Sequence, residues 1–151
     1  MPSFRQICDA IKVPMTTIAS IRRVNCYYEL TEGMNTLPTL EIYPERWNTD
    51  TATETDRTTA CAPNMLRQTN VVVYLDLYAR QRSQIAEDWN QAVEVADDIQ
   101  DKLEEQCACP IFGLAGVRSF QWEAQRVVFE RDWTPPPQYA GFRFILTLRI
   151  F

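Results

Sequence analysis

The sequence contains no histidine at any of its 151 positions. Histidine is the commonest general base near neutral pH and the partner of the nucleophile in serine- and cysteine-based catalytic triads. Its absence excludes those triads, and it excludes every zinc site that uses an imidazole ligand. We expect a protein that is not an enzyme and that binds no cofactor, with a metal-dependent hydrolase as the enzyme alternative.

Positive charge is also scarce. Lys12 and Lys102 are the only lysines, and the arginines are scattered along the chain. A surface that binds nucleic acid normally carries a concentrated patch of lysine and arginine. We therefore expect no direct binding of nucleic acid.

The sequence also lacks long apolar runs and an even number of cysteines. The sequence contains no run of about 18 apolar residues, the length that a membrane-spanning helix needs. Its N-terminus lacks the basic segment followed by an apolar stretch that is typical of a signal peptide. The five cysteines are an odd number, which favours free thiols in a reducing cytoplasm. Cys107 and Cys109 would need further cysteines to converge on them for a four-ligand zinc site, so ordinary thiols are the simpler interpretation.

What the chain does have is a strong strand followed by a long amphipathic helix, within residues 69–106. The strand is predicted to place five side chains on one face: Val71, Val73, Leu75, Leu77 and Ala79. Ser83 is a candidate N-cap for the helix. Apolar residues then recur every three or four positions, which predicts one buried stripe of Ile85, Trp89, Val93, Ala96, Ile99 and Leu103.

The remaining elements are shorter or less regular. Ser3 is a candidate N-cap for a helix over Phe4–Val13, which Pro14 is expected to end. Strands are predicted near Val24–Tyr28 and over Leu37–Pro44, the latter bracketed by prolines. Alternation of apolar and polar residues predicts two more strands, over Val117–Asp132 and Phe142–Phe151. The last of these strands should be internal to the sheet, because its apolar face at an exposed edge would favour aggregation.

Together these patterns predict an α/β (α+β) fold in one domain, residues 1–151. It should contain a single mixed or antiparallel sheet of about four to five strands, a short N-terminal helix and one long acidic helix packed on one face. Residues 45–68 show no periodicity and are expected to form a long polar loop or arm. Within it, Trp47 and Met65 are apolar; either a partner buries them, or Trp47 folds back on the core of its own chain.

The long helix is strongly acidic. Residues 87–105 contain eight acids and one lysine, so this stretch has a net charge of −7 while the rest of the chain sums to +2. Glu94/Asp98 and Asp97/Asp101 are like-charged pairs four residues apart, each unfavourable by a few tenths of a kcal/mol. One interpretation is a solvated face that keeps the protein soluble. The other is that the acids meet arginines of a neighbouring subunit, which would be drawn from Arg22, Arg23, Arg46, Arg57, Arg118, Arg126, Arg131, Arg143 and Arg149.

The candidate interface residues follow from that second interpretation. On the helix they are Glu94, Asp97, Asp98, Asp101 and Glu105, and elsewhere Arg46, Trp47, Arg57, Met65 and Arg126. A head-to-tail contact between such surfaces can close into a ring. An acidic cluster can also bind divalent cations, as in a metal-dependent hydrolase. These acids, however, lie along one helix and do not converge from separate elements, so no metal site is predicted.

The order of elements resembles that of the tail terminator proteins of long-tailed bacteriophages. The resemblance extends over most of the chain and rests on five stretches: the Leu-Pro-x-Leu-x-Ile-Tyr-Pro run at Leu37–Pro44, the strand ending at Tyr78-Ala79, the Glu87–Glu105 helix with its Ala-Glu-Asp-Trp-Asn start, Leu114–Phe129 and Tyr139–Ile150. The threonine-rich segment within residues 45–68 departs from the family's pattern.

The resemblance implies a structural protein of the virion tail or neck, assembled in the host cytoplasm as a ring of six identical subunits. Such a ring stops the growth of the tail tube and joins the tube to the head connector, and DNA only passes through its lumen. A head-completion or connector adaptor protein is the nearest alternative. A regulatory binding module of the cytosol and the metal-dependent hydrolase are the alternatives from other classes.

Overall fold

The computed structural model describes residues 2–29, 36–50, 68–81, 85–108, 110–130 and 138–150. Two α-helices and five β-strands make up most of these segments. In chain order they are α1 (Phe4–Met15), β1 (Arg23–Cys26), β2 (Thr39–Asp50), β3 (Gln68–Gln81), α2 (Ile85–Glu105), β4 (Val117–Glu130) and β5 (Gln138–Ile150). Short 3-10 turns follow β1 at Tyr27–Glu29 and precede β4 at Ile111–Gly113.

The five strands form one mixed sheet in the order β1-β2-β3-β5-β4. β1 runs parallel to β2, and all other neighbours are antiparallel. The predicted α+β class, with one sheet, an N-terminal helix and a longer second helix, is therefore confirmed. The C-terminal strand is internal, as its apolar face predicts, because β5 pairs with β3 on one side and with β4 on the other.

One face of the sheet carries the core. Leu40 of β2 lies opposite Leu77 of β3, and Leu75 lies opposite Phe144 of β5, so the same face is apolar across three strands. The five side chains predicted to share a face of β3 are all buried. Ile7 and Ile11 of α1 join the same core, as do α2 residues Ala92, Val95, Ala96, Ile99 and Leu103, so both helices cover this face.

Helix α1 begins where the sequence predicts and ends later. The Ser3 hydroxyl accepts a hydrogen bond from the amide of Gln6, whose side chain accepts one from the Ser3 amide, which completes a capping box. Pro14 does not end the helix, because Met15 continues it and is fully buried. The Thr16 amide closes the last turn by donating to the carbonyl of Lys12 at 3.0 Å.

The buried face of α2 is rotated from the predicted stripe. Val93 was assigned to that stripe, but its side chain is 44% exposed, whereas Val95 is buried. Asp88 lies on the buried face near the start of α2, at a position where an apolar residue would be expected. Its carboxylate can be buried there because the Arg80 guanidinium of β3 pairs with it at 2.8 Å. A pattern read from apolar residues alone misses a buried acid of this kind. The proposed N-cap Ser83 lies outside the described residues.

Strand β2 is longer than its prolines suggest. The prediction of a short strand ending at Pro44 was wrong, because β2 continues to Asp50 and its pairing with β3 shifts by one residue between Pro44 and Arg46. The irregularity accommodates a residue that cannot donate to the ladder. The loop predicted over residues 45–68 therefore begins too early, since 45–50 belong to β2 and Gln68 begins β3. Residues 51–67 lie outside the described residues.

Candidate interaction surfaces

The outward face of α2 carries an acidic stripe, which we define as Glu94, Asp97, Asp101 and Glu104. All four side chains are exposed, and their spacings of three or four residues place them on one line of the helix. This line is opposite the buried face, since Ala92, Val95, Ile99 and Leu103 point to the core. Within the described segments, none of the four carboxylates forms a hydrogen bond or an ion pair.

Two of the acids predicted for this interface have partners in their own chain. Asp98 accepts a hydrogen bond from the Ser20 hydroxyl at 2.6 Å, and Glu105 pairs with Lys102 at 3.0 Å. Both acids border a cavity of about 260 Å³ between the end of α2 and the segment after α1. The Ser20–Asp98 hydrogen bond therefore helps to hold α2 against its own subunit, whereas the Lys102–Glu105 pair lies within α2. Glu104 was not among the predicted interface residues, although its spacing from Asp97 and Asp101 would have identified it.

The second face of the sheet, opposite the helices, holds a polar network. Asp76 of β3 is 3% exposed, and its two oxygens accept hydrogen bonds from Arg143 at 2.8 Å and 3.1 Å. The Tyr43 hydroxyl donates to the same carboxylate at 2.6 Å, and Arg143 also donates to that hydroxyl at 3.2 Å. The Arg143 guanidinium lies over the Tyr74 ring, 4.7 Å from its centroid. The network connects β2, β3 and β5.

The charges of this network are matched. Burial and the hydrogen bond to Asp76 raise the pKa of Tyr43 well above its ordinary value, so its hydroxyl keeps its proton. The hydrogen bonds from Arg143 to Asp76 raise the pKa of the guanidinium further. Because the guanidinium donates to both carboxylate oxygens and the Tyr43 hydroxyl donates to one of them, the burial of Asp76 is compensated. The network is an internal connection of the sheet and is not arranged as an acid–base pair at a cavity.

Beside the network on this face lies an arginine groove of about 410 Å³, lined by Arg46, Asn48, Asn70, Val72, Thr147 and Arg149. No described acid lines it. Arg46 and Arg149 are exposed and make no ion pair or hydrogen bond with the described part of the chain. An adjoining cavity of about 230 Å³ shares Arg46 and Thr147 with the groove and contains Glu123. The groove is therefore a concave surface whose exposed charges are both positive.

The aromatic candidate Trp47 packs on its own chain and is still accessible. Its ring lies 4.7 Å from that of Phe4 at the start of α1, on the helical side of the sheet, and the side chain is 62% exposed. The Arg126 guanidinium of β4 lies 4.8 Å from the centroid of the Trp89 ring of α2. This predicted interface residue therefore contacts a helix of the same chain. The other two candidates, Arg57 and Met65, lie outside the described residues.

A third polar cluster lies between α1 and β1. The Lys12 ammonium bonds both carboxylate oxygens of Glu29, at 2.6 Å and 2.8 Å, and the Cys26 amide donates to Glu29 at 2.9 Å. These donors, Lys12 first, lower the pKa of Glu29. Burial raises the pKa of the Cys8 thiol to about 12 and that of Cys26 to about 11. Both thiols are free and buried, and unsuited to nucleophilic chemistry near neutral pH.

Within the described ranges, no group of three or more acids and cysteines is placed to hold a metal ion. The helices in those ranges include none with the length and apolarity to cross a membrane. Cys109, one of the two cysteines considered for a zinc site, lies outside the described residues, as does Cys61.

No protein-family model matches this chain, and no curated protein matches it significantly.

Proposed function

We propose that this protein is a non-enzymatic, structural subunit of a phage tail terminator ring. Support comes from the resemblance of its sequence to that family and from a small α+β fold with two helices on one face of a single sheet. The ring would contain six copies, as the resemblance implies. It caps the tail tube in the virion and joins it to the head connector.

The observation that carries the proposal is the acidic stripe. Glu94, Asp97, Asp101 and Glu104 lie side by side on α2, and none of them has a partner in the described segments. Neighbouring like charges destabilise a helix, and acids in its last turns oppose the helix dipole. A subunit that acts alone gains nothing in stability from this arrangement. A subunit that assembles with a basic surface gains a specific contact.

The proposed mechanism is capping by a surface change. One end of the ring matches the last ring of the tube and binds it, while the other end does not repeat the tube's surface and stops further addition. That altered end accepts the connector. The rigidity that such a cap requires is supplied by the long strands, since β3 and β5 are paired along most of their length. DNA passes through the lumen without being recognised.

The proposal is tested by the assembly state of the purified full chain and its effect on tube growth. We expect native mass spectrometry to detect six copies and negative-stain images to show rings, in the presence or absence of a chelator. Added to growing tubes of the matching tail tube protein, the rings should bind tube ends and fix their length. A monomer that binds Mg²⁺ or Mn²⁺ tightly would overturn the proposal in favour of the hydrolase. Rings that bind the connector but ignore tube ends would favour the adaptor protein.

A further inference from the structure

We propose that the arginine groove binds the acidic stripe of a second copy of this chain. The inference rests on the proposed ring and names the two surfaces that join its subunits. Arg46 and Arg149 of one copy would pair with carboxylates on α2 of the next. Of the other described arginines considered from the sequence, Arg143 is engaged by Asp76 and Arg126 by Trp89. Arg22, Arg23 and Arg118 do not line the groove.

Charge complementarity is the first argument. The groove presents two guanidinium groups, the amides of Asn48 and Asn70 and the Thr147 hydroxyl, without a described acid in its lining. The stripe presents four carboxylates without a described partner. Guanidinium groups and carboxylates form the strongest charge-assisted hydrogen bonds available to side chains, and complementary surfaces of this kind fix register and orientation. Each surface supplies what the other lacks.

The spacing of the charges is the second argument. Arg46 and Arg149 lie on strands β2 and β5, which are separated by β3. Arg46 is opposite Val72 of β3, and Val72 is opposite Thr147 of β5. Arg149 is two residues further along β5 than Thr147. Strand separations of about 4.8 Å and a rise of about 3.4 Å per residue put their Cα atoms about 12 Å apart. Residues seven apart on a helix are separated by about 10.5 Å. Glu94 with Asp101, or Asp97 with Glu104, can therefore meet both arginines together.

The placement of the two surfaces is the third argument. The stripe faces outward from α2 on the helical side of the sheet, while the groove lies on the opposite face. One subunit cannot bring its own stripe to its own groove. A contact between these surfaces is head-to-tail, and such contacts form closed rings when the rotation between neighbours closes.

Two charge-reversal variants of the full chain test the inference. The stripe variant carries Asp97→Arg and Asp101→Arg, and the groove variant carries Arg46→Glu and Arg149→Glu. All four positions are exposed, so both variants should fold with the wild-type circular dichroism spectrum. Alone, each variant brings like charges together at every interface. We expect the concentration at half-assembly to rise by about tenfold or more for each, measured by analytical ultracentrifugation.

Mixing the two variants gives the sharper result. The unchanged groove of the stripe variant matches the unchanged stripe of the groove variant, and the two reversed surfaces match each other. An equimolar mixture should therefore assemble again, with the two variants alternating and present in equal numbers by native mass spectrometry. Arg22→Glu with Arg23→Glu makes the same change in net charge as the groove variant but on another exposed surface, and we expect it to leave assembly within about twofold of wild type.

The outcomes separate the inference from the function it rests on. If the wild type forms rings and either variant assembles normally, or the mixture fails to reassemble, the inference is wrong and the proposed ring stands. If the wild type does not assemble at all, the proposed ring falls as well. If the groove variant assembles normally but loses binding to a labelled DNA duplex that the wild type binds, the groove is a phosphate site and the inference is overturned.

Discussion

At the scale of single residues, the buried Asp76 carboxylate is the charge on which side chains from three strands meet. Arg143 bonds both of its oxygens and Tyr43 bonds one, so three strands are tied by side chains as well as by backbone. The sequence offers no sign of this network, because an aspartate in the middle of an apolar strand has no periodic signal. The register of β3 with β5, which places Asp76 opposite Arg143, creates it.

Replacing Arg143 with alanine should lower the free energy of unfolding by about 2–3 kcal/mol, because the buried Asp76 carboxylate loses its charged partner. Urea denaturation followed by circular dichroism measures the change. Arg22→Ala is the matched control, since Arg22 is exposed and its side chain has no described partner, and it should cost less than about 0.5 kcal/mol. Equal costs for the two variants would show that the network adds no stability.

The Glu29 carboxylate should make stability depend on pH. Its pKa is lowered below the ordinary value of 4.5 by Lys12 and by the Cys26 amide. A carboxyl whose pKa is lower in the folded state contributes stability above its unfolded pKa and loses it as the pH falls through the folded value. Glu29→Gln should thus cost about 0.5–1 kcal/mol at pH 7, a figure reduced for the partial exposure of the pair, and almost nothing near pH 2.

Urea titrations of the wild type and Glu29→Gln at several pH values test this. The two curves of unfolding free energy against pH should nearly coincide near pH 2, separate as the pH rises towards about 4.5, and stay a constant distance apart above it. Glu45→Gln controls for the chemical change, because Glu45 is an exposed acid without a described partner and should cost less than about 0.5 kcal/mol at neutral pH. A constant difference between wild type and Glu29→Gln down to pH 2 would contradict the expectation.

At the scale of secondary-structure elements, α2 shows how helix orientation depends on more than apolar spacing. The sequence locates the helix well and identifies most of its buried face. It misassigns Val93, because buried Asp88 belongs to the face that contacts the sheet and is paired with Arg80. Ala92 and Val95 replace Val93 in the core.

Val93 and Val95 provide a matched test of this orientation, because they differ in exposure but share residue type and helix. Val95→Ala should cost about 1–2 kcal/mol, since it removes two buried methyl groups. Val93→Ala should be neutral or stabilise by up to about 0.5 kcal/mol, because alanine has the higher helix propensity. Thermal unfolding of both variants measures the difference. A larger cost at Val93 would restore the stripe predicted from the sequence.

At the scale of the whole molecule, the order of the strands sets which parts of the sheet are protected. β3 and β5 each have a neighbour on both sides, whereas β1 and β4 are at the ends of the sheet. Among the described segments nothing pairs with the outer side of β4. The acidic stripe and the arginine groove lie on opposite sides of the sheet. Both helices cover one face, with the stripe on the outside of α2, and the groove lies on the other face.

Hydrogen exchange followed by mass spectrometry should report this order. We expect the amides of β3 and β5 to exchange slowest, since opening them requires disruption of the whole sheet. The four-residue β1 should exchange fastest among the strands, and β4 should exchange at alternate positions because half of its amides face outward. Uniform protection of β4 equal to that of β5 would mean that another strand, from this chain or a neighbour, covers its edge.

The sequence by itself determined the strands, the helices and the apolar faces that join them, because periodicity and burial are local properties of a chain. It also determined the concentration of acids on α2, with a net charge of −7 over residues 87–105. The tertiary structure decided which acids have partners, since Asp88, Asp98 and Glu105 are paired. Glu94, Asp97, Asp101 and Glu104 have no partner among the residues that the structure describes. It also decided that Arg46 and Arg149 line one groove, because the pairing of β2 and β5 with β3 brings together residues that are far apart in the sequence.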